Sequence, residues 1–189
     1  MEYLGREEAN KPRASRILVY GVTGSGKTTL ARRIGEITGL PWYSVDDLTW
    51  EPNWVQVESG EQRKRITEIC SRDEWVLDSA YAQWREIPLA HVQLIVALDY
   101  PRWVSLGRLV RRCLQRLVDG KPICNGNRES LVTLFSRESI VVWHFKSFGN
   151  KRARMRQWVS NPGEMTVVHI QTRRQLDIWV RDLEVLYRP

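Results

Sequence analysis

The 189-residue chain lacks several features that would assign it to a class of protein. It has no apolar run near the roughly 18 residues that a membrane-crossing helix needs. Its first residues are polar and charged, so no secretory signal is apparent. Its three cysteines (Cys70, Cys113 and Cys124) lack metal-ligand spacing, and their odd number favours reduced thiols. These absences predict a cytoplasmic protein with no membrane partner.

Nucleophilic hydrolase chemistry is also missing from the sequence. No Ser/His/Asp or Cys/His arrangement is apparent, and the three histidines, at 91, 144 and 169, stand in or beside apolar segments. The apolar content of 42% is enough for the core of one α/β domain. The net charge of +7 is compatible with a nucleic-acid partner, or with arginines that face phosphate groups.

One stretch indicates phosphate chemistry. Residues 21–28 read Gly-Val-Thr-Gly-Ser-Gly-Lys-Thr and fit the phosphate-binding pattern G-x-x-x-x-G-K-[ST]. Glycines let successive backbone N–H groups curl around an anion, and the N-terminus of the following helix adds positive charge. Lys27 is predicted to reach the β- and γ-phosphates of a nucleotide, and the Thr28 hydroxyl to ligate Mg²⁺. The predicted nucleotide contacts in this loop are Gly21, Thr23, Gly24, Ser25, Gly26, Lys27, Thr28 and Thr29.

The surrounding pattern predicts the fold. An apolar run at 16–20 precedes the loop, and Leu30, Ile34 and Ile37 follow it at helical spacing. Further strands are predicted at 40–45, 74–77, 91–98 and 166–170, with helices between them. Five strands alternating with helices predict a doubly wound, three-layer α/β fold with a parallel sheet. Residues 1–15 are predicted to be a flexible leader and residues 16–189 a single domain.

Polar residues follow the strands and occupy the helices. The second strand delivers Asp46 and Asp47 to its carboxyl end, where ligands bind in open parallel sheets, and the third ends at Asp78. Pro101 opens a long helix with a predicted core stripe of Leu106, Leu109, Val110, Cys113 and Leu117. Gly149-Asn150 is predicted to interrupt a later helix, which resumes in a basic run, Lys151 to Arg156.

These segments resemble the adenylate-kinase-type branch of P-loop kinases. Besides the loop, the resemblance rests on Val45-Asp46-Asp47-Leu48-Thr49-Trp50, on Trp75-Val76-Leu77-Asp78 and on the arginines from Arg108 to Arg116. Within that branch the chain is most similar to the bacterial group named DNA topology modulation proteins. The resemblance implies a P-loop NTPase fold with strand order 2-3-1-4-5, an acceptor-binding region at about 46–74 and a short lid at about 119–137. The lid has no CxxC pairs, which excludes a zinc-stapled lid.

The resemblance also implies roles for individual residues. Asp78 would hold Mg²⁺ through water, with Thr28, or accept a hydrogen bond from the acceptor, unless it is only a turn or capping aspartate. Arg108 would stack on adenine and Arg112 would reach the phosphates, unless they belong to a solvated basic face. Thr172 and Arg173, which follow the last strand, would hold the adenine edge through backbone groups.

On the acceptor side, Asp46 could orient or deprotonate a hydroxyl, whereas the Asp46-Asp47 pair could instead be a helix cap. The other predicted acceptor contacts, which could equally be packing residues or a solvated basic face, are Asp47, Trp50, Tyr81, Arg85 and Arg128.

The sequence therefore predicts an ATP- and Mg²⁺-dependent phosphotransferase with Lys27, Asp78, Arg112 and Asp46 as catalytic residues. The acceptor stays open between a nucleoside or nucleotide and a small hydroxylated metabolite. The alternative is a nucleic-acid-associated ATP-binding regulatory protein with little kinase activity, based on the basic run and the net charge. Weak DNA binding, and a monomeric or homodimeric state, both stay open.

Overall fold

The computed structural model of the chain describes residues 13–119, 125–127 and 140–188. Most of the predicted leader and lid, and Arg128 with them, lie outside the described residues. The last three residues of the predicted leader are described and contact the domain. Arg13 donates to the carbonyl of Leu186 at 2.7 Å, and the Ser15 hydroxyl donates to the carbonyl of Asp73 at 2.8 Å. No helix among the described residues is long and apolar enough to cross a membrane.

Strands and helices alternate along the chain. The strands are β1 (Arg16–Gly21), β2 (Trp42–Tyr43), β3 (Trp50–Glu51), β4 (Val55–Gln56), β5 (Trp75–Leu77), β6 (Leu94–Leu98) and β7 (Thr166–Ile170). The helices are α1 (Lys27–Thr38), α2 (Val45–Thr49), α3 (Ser59–Cys70), α4 (Glu86–Leu89), α5 (Arg102–Asp119), α6 (Ile140–Ser160) and α7 (Arg173–Leu186). A 3-10 turn at Pro52–Trp54 joins β3 to β4.

The main sheet has five parallel strands in the order β2-β5-β1-β6-β7. In this sheet Ile17 of β1 lies between Val76 of β5 and Leu94 of β6. Counted among themselves along the chain, these strands have the order 2-3-1-4-5. The labels differ from that order because the short antiparallel pair β3–β4 lies between β2 and β5. The predicted α/β fold class is confirmed.

Helices cover both faces of the sheet, which buries the parallel strands on both sides. Alternate residues of β1 point to opposite cores, because side chains alternate along a strand. Leu18 and Tyr20 join one core with residues of α3 and α6, including Ile66, Met155 and Trp158. Ile17 and Val19 join the other core with residues of α1 and α7, including Leu30, Ile34, Trp179 and Leu183. We call these the Tyr20 core and the Trp179 core.

Two predicted boundaries are wrong in ways that affect the site. Strand β2 ends at Tyr43, because Ser44 begins helix α2 by accepting a hydrogen bond from the Asp47 N–H at 3.4 Å. Helix α6 runs without a break through Gly149 and Asn150. Both residues are exposed, and the buried side chains on either side of them hold the helix against its intrinsic propensity.

The predicted inner stripe of α5 is partly wrong. Leu109 and Cys113 are buried, as predicted, but the side chain of Val110 is 40% exposed. Leu114 and Trp103 are exposed on the same helix. The inward face of α5 is therefore narrower than the sequence predicts, and Leu109 packs beneath the phosphate-binding loop.

Candidate active site

The loop between β1 and α1 is built for close backbone contacts. Gly24 and Gly26 have positive φ angles of 79° and 95°, where side chains are strained. A Cβ on Gly24 would lie 2.3 Å from the carbonyl oxygen of Ser105 and 2.9 Å from the Cβ of Leu109. Only glycine therefore fits at position 24, and the loop lies tightly against α5.

The start of α1 is open toward an anion. Its N-cap residue is Gly26, and no side chain caps the helix. The first N–H groups of the helix therefore keep hydrogen-bonding capacity for a ligand. The Ser25 hydroxyl is buried and has no hydrogen-bond partner among the described residues. These features fit the phosphate groups of a nucleotide.

Lys27 lies at the centre of the charged groups. Its ammonium group donates to the carbonyl of Val22 at 3.0 Å. Burial lowers the pKa of Lys27, the charges of Asp78 and Asp46 oppose that effect, and Arg112 adds to it. Asp46, Asp78 and Arg112 therefore surround the lysine that the sequence predicts to hold the phosphates.

Asp78 joins the donor loop to helix α2. One carboxylate oxygen accepts a hydrogen bond from the Thr28 hydroxyl at 2.6 Å, and the other accepts from the Val45 N–H at 2.8 Å. Burial raises the pKa of Asp78, whereas the hydrogen bonds from Thr28 and Val45 lower it.

A hydroxyl and a carboxylate are hard oxygen ligands, which Mg²⁺ prefers. No cluster of three or more metal-binding side chains occurs among the residues that the structure describes.

A groove of about 570 Å³ leads away from the loop between α1 and α7. Thr29, Arg108 and Arg173 line it together with Ser25 and Gly26. Arg108 donates to the carbonyl of Ser25 at 3.3 Å, and its guanidinium lies 4.6 Å above the ring of Tyr100. The volume of this groove leaves room for the nucleoside part of a nucleotide.

The side chains of the two residues predicted at the adenine edge contact α7. The side chain of Thr172 caps the helix by accepting from the Gln175 N–H at 3.2 Å. Arg173 pairs with Asp177 at 2.8 Å, and both line the groove.

Across the sheet edge lies a second group of polar residues, on the Tyr20 core side. The Tyr81 hydroxyl donates to Asp46 at 2.6 Å, and its ring stacks on Trp84 at 5.4 Å. Burial raises the pKa of Tyr81, and the charge of Asp46 adds to that effect. Tyr81 therefore fixes the carboxylate of Asp46. Asp46 and Asp47 are both exposed on α2. Trp50 is half-buried and packs edge-on against Trp54 at 6.0 Å.

Two cations complete this group, and the sequence interpretation missed one of them. Arg85, a predicted acceptor contact, is half-buried and interacts with the Tyr20 hydroxyl. Lys151 of α6 donates to the carbonyl of Gly21 at 3.5 Å, and its ammonium lies 5.8 Å from the ring of Tyr20. Burial lowers the pKa of Lys151 to about 7; the charges of Lys27 and Arg85 add to the shift, and Asp46 opposes it.

His144 also contacts the phosphate-binding loop, a contact that the sequence did not indicate. It is fully buried, and its Nδ1 lies 3.0 Å from the carbonyl oxygen of Thr23. Burial lowers the pKa of His144. His144 and Lys151 are seven residues apart and therefore lie on one face of α6. That spacing was the available signal, and the predicted break at Gly149-Asn150 concealed it.

A clasp of two asparagines holds the segment before and within the β3–β4 pair. Asn125 donates to the carbonyls of Asp47 at 2.8 Å and Trp50 at 2.6 Å. Asn127 accepts from the Trp54 N–H at 2.7 Å and donates to the carbonyl of Glu51 at 3.0 Å. These four bonds stabilise a turn in which Asn53 and Trp54 both have positive φ angles, 65° and 58°. We call this arrangement the asparagine clasp.

The basic run of α6 is largely turned toward the protein. Arg152 lies 2.9 Å and Arg156 lies 3.7 Å from the carboxylate of Asp99, which is buried. Arg154 is close enough to Tyr20 to lower its pKa, although burial has the larger, opposite effect. These contacts give no support to an open DNA-binding face.

The sequence is similar to two nucleotide kinases. No family model matches the sequence. A cytidylate kinase of Aeropyrum pernix is 28% identical over 149 residues, which are 69% of this chain and 78% of that protein. An adenylate kinase of Thermotoga maritima is 40% identical over 62 residues, which are 33% of this chain and 27% of that protein.

Solved structures share the whole architecture at low sequence identity. A gluconokinase from Sinorhizobium meliloti 1021 is 17% identical, covers 93% of both chains and gives a TM-score of 0.52. The chain has the fold of a P-loop kinase. A shikimate kinase from Acinetobacter baumannii, solved with shikimate, is 19% identical over 90% of this chain and 91% of that chain, with a TM-score of 0.52. In this P-loop kinase fold, the loop and Asp78 lie at the carboxyl edge of the sheet.

Proposed function

We propose that the protein is an ATP- and Mg²⁺-dependent phosphotransferase that moves the γ-phosphoryl group of ATP to a small acceptor. The observation that carries the proposal is the meeting of donor and acceptor groups at one sheet edge. Lys27 interacts electrostatically with both Asp78, which binds Thr28 at 2.6 Å, and Asp46, which binds Tyr81 at 2.6 Å. The similarity to proteins named cytidylate kinase, adenylate kinase, gluconokinase and shikimate kinase supports the same activity.

The donor side binds and orients the nucleotide. Backbone N–H groups from Gly24 to Thr28 would hold the β- and γ-phosphates, with Lys27 as the cation nearest to them. Arg108 would contact the nucleoside side and Arg112 the phosphates. Fixed cations around the transferred group stabilise the charge that develops on it in the transition state.

Thr28 and Asp78 would hold the magnesium ion. When bound, Mg²⁺ would neutralise part of the charge of the β- and γ-phosphates. Asp78 is fixed for this role by the N–H of Val45, so its orientation does not depend on the ion. The same contact ties the position of α2 to the donor side.

The acceptor side receives the phosphoryl group. An acceptor hydroxyl oxygen would form the bond to the γ-phosphorus while the bond from that phosphorus to ADP breaks, and ADP leaves with the electron pair. Asp46 would orient the hydroxyl and take its proton, and Tyr81 would hold the carboxylate in place. A phosphate acceptor would need no base, because it has no hydroxyl proton to lose.

ADP release from MgATP, measured with nucleosides, nucleoside monophosphates and hydroxylated metabolites, tests the proposal. We expect one class to stimulate release strongly. Lys27→Ala should lower that rate roughly 100- to 1,000-fold, because it removes a cation from the transferred phosphate. Lys64→Ala, which removes an exposed lysine of α3, should leave the rate unchanged. A Lys27→Ala protein with the wild-type rate would disprove the mechanism.

A further inference from the structure

Lys151 is held at the sheet edge by the packing of α6. On the same helix, His144 contacts the phosphate-binding loop, and Met155 and Trp158 lie in the Tyr20 core. Lys151 shares this inner face and donates to the carbonyl of Gly21. Its half-buried amine therefore projects over the end of β1 and not into solvent.

The charges around Lys151 are unbalanced. The groups that face it are Lys27 from α1, Arg85 before α4, Asp46 from α2 and the ring of Tyr20 from β1. Lys27 and Arg85 are cationic, as Lys151 itself is. Among the described residues, Asp46 is the carboxylate whose charge acts on Lys151. Among the described residues, no carboxylate pairs with Lys151 at salt-bridge distance. Neighbouring like charges in a partly desolvated site are unfavourable without a counter-ion.

The position of Lys151 and Arg85 separates them from the nucleoside groove. Both lie beside Tyr20, which belongs to the same core as Trp84 and Met155. Arg108 lies against Tyr100, which belongs to the Trp179 core on the other face of the sheet. On the side of Asp46 and Tyr81, two cations, Lys151 and Arg85, therefore lie near one carboxylate, that of Asp46.

We propose that Lys151 and Arg85 form an anion-binding subsite in the acceptor pocket, so that the acceptor carries a carboxylate or phosphate group. This inference rests on the proposed function and narrows its substrate class. The acceptor anion would lie between the two cations, with Asp46 left for a hydroxyl. Neutral nucleosides and polyols would lack the group that the subsite recognises.

The protonation of Lys151 should make anion binding depend on pH. Because its pKa is lowered to about 7, the empty subsite has a largely neutral amine at pH 8. An anion binds the protonated form better, so binding should take up a proton. Anion affinity should fall as pH rises above 7, approaching tenfold per pH unit until the pKa in the complex is reached. Lys151→Arg should keep the binding and remove this pH dependence, because arginine stays charged.

Isothermal titration of the whole protein tests the proposal without knowledge of the acceptor. The protein is first saturated with the magnesium complex of a non-hydrolysable ATP analogue, which fills the γ-phosphate position. Inorganic phosphate, D-gluconate and neutral sorbitol are then titrated separately at pH 7. The pH dependence is measured with D-gluconate on the nucleotide-free protein at pH 7 and pH 8, because D-gluconate keeps its charge over this range and no ATP phosphate then raises the pKa of Lys151. We expect phosphate or gluconate to bind and sorbitol to show no binding, and the tighter anion indicates a phosphorylated or a carboxylate acceptor.

The variants give the decisive comparison. Lys151→Met should weaken the bound anion roughly 10- to 100-fold, since it removes a charged hydrogen bond. In the same titration, Lys151→Met should change the affinity for the ATP analogue by less than about threefold. Lys146→Met removes an exposed lysine of α6 and should change neither affinity.

Three results would overturn the subsite. The first is that neither anion binds the wild-type protein. The second is that the anion binds Lys151→Met as tightly as the wild type. The third is that Lys151→Met loses as much affinity for the ATP analogue as for the anion. In Lys151→Arg, weakened anion binding that keeps the wild-type pH dependence would also count against the subsite. If the ATP analogue binds normally and only the anion titrations fail, the phosphotransferase proposal survives. If the analogue does not bind the wild-type protein, that proposal fails with it.

Discussion

The donor and acceptor sides of the site are constructed in different ways. The phosphate-binding part of the proposed donor side is one continuous segment, residues 21–28, in which backbone geometry and glycine decide the shape. The acceptor side takes its polar groups from α2, from residues 81–85, from α6 and from the asparagine clasp. A local segment can specify phosphate binding by itself, whereas the proposed acceptor side is assembled only after distant segments have packed.

The contrast extends to the hydrogen bonds. The Tyr81–Asp46 bond joins residues 35 positions apart, and the Lys151–Gly21 bond joins residues 130 positions apart. Lys27 and Val22 are five positions apart. Substitutions on one side should therefore leave the function of the other side largely unchanged, and the following variants test that expectation.

The largest effect should come from Asp46→Asn on the acceptor side. If Asp46 takes the proton of an acceptor hydroxyl, kcat should fall roughly 100- to 10,000-fold. The affinity for MgATP should stay near that of the wild type, since the loop is intact. Steady-state kinetics and nucleotide titration measure the two quantities. Glu68→Gln, which removes an exposed carboxylate of α3, is the control. An Asp46→Asn enzyme with normal kcat would point to a phosphate as the accepting group.

On the donor side, Gly24→Ala should weaken nucleotide binding roughly 10- to 100-fold. A side chain at φ 79° costs about 1–3 kcal/mol, and its Cβ would collide with the carbonyl of Ser105. Gly107→Ala is the matched control, because a Cβ there meets no atom within 4 Å. That control lies in α5 and should leave binding unchanged while raising stability by about 0.5–1 kcal/mol. Equal nucleotide affinities in the two variants would contradict the close approach of the loop to α5.

A pair of variants at Asp78 tests the residue that joins the two sides. Asp78→Ala removes the partners of Thr28 and Val45 and should lower the free energy of unfolding by about 1–3 kcal/mol. Asp78→Asn can keep both bonds, with the amide oxygen toward Val45 and the amide nitrogen toward Thr28. We expect Asp78→Asn to be nearly as stable as the wild type in urea unfolding.

The same two variants distinguish the contribution of Asp78 to stability from its contribution to Mg²⁺ binding. Asp78→Asn should still need a higher Mg²⁺ concentration for half-maximal nucleotide binding, because it lacks the carboxylate charge. If Asp78→Asn were as destabilised as Asp78→Ala, the contribution of Asp78 to stability would depend on its charge and not on its two hydrogen bonds.

The smallest effect should come from the asparagine clasp. Asn127→Ala removes two hydrogen bonds that hold β3–β4, each worth about 0.5–1.5 kcal/mol. We expect the acceptor KM to rise several-fold while the KM for MgATP is unchanged. Hydrogen exchange at the Trp54 amide should become faster. Asn161→Ala, at an exposed position after α6, should alter neither measurement.

The sequence predicts much of the fold because its decisive signals are local. The loop, the parallel strand order and the position of Asp78 at a strand end all follow from short stretches and from the resemblance they support. The predicted end of β2 is wrong for a local reason. The apolar run suggested a longer strand, whereas Ser44 caps the next helix. The roles of the named residues stay predictions until the variants are measured.

The acceptor side could not be predicted in the same way. His144 is 121 positions from Thr23, and no local pattern indicates that they touch. Lys151 belongs to a run of basic residues, and only the packing of α6 separates it from Arg152 and Arg156, which bind Asp99. Gly149 and Asn150 predicted a break, because intrinsic propensity takes no account of the buried residues on either side.

The asparagine clasp also contains a side chain that changes chemically with time. Asn125 precedes Gly126, and side-chain amides in Asn-Gly sequences hydrolyse spontaneously as a protein ages. Its amide nitrogen donates to the carbonyls of Asp47 and Trp50. Hydrolysis would replace that donor with a carboxylate oxygen facing two carbonyl oxygens, which would turn two attractions into repulsions. The age of a preparation would then set how firmly the acceptor segment is held, and the loss of the amide is visible in the intact mass.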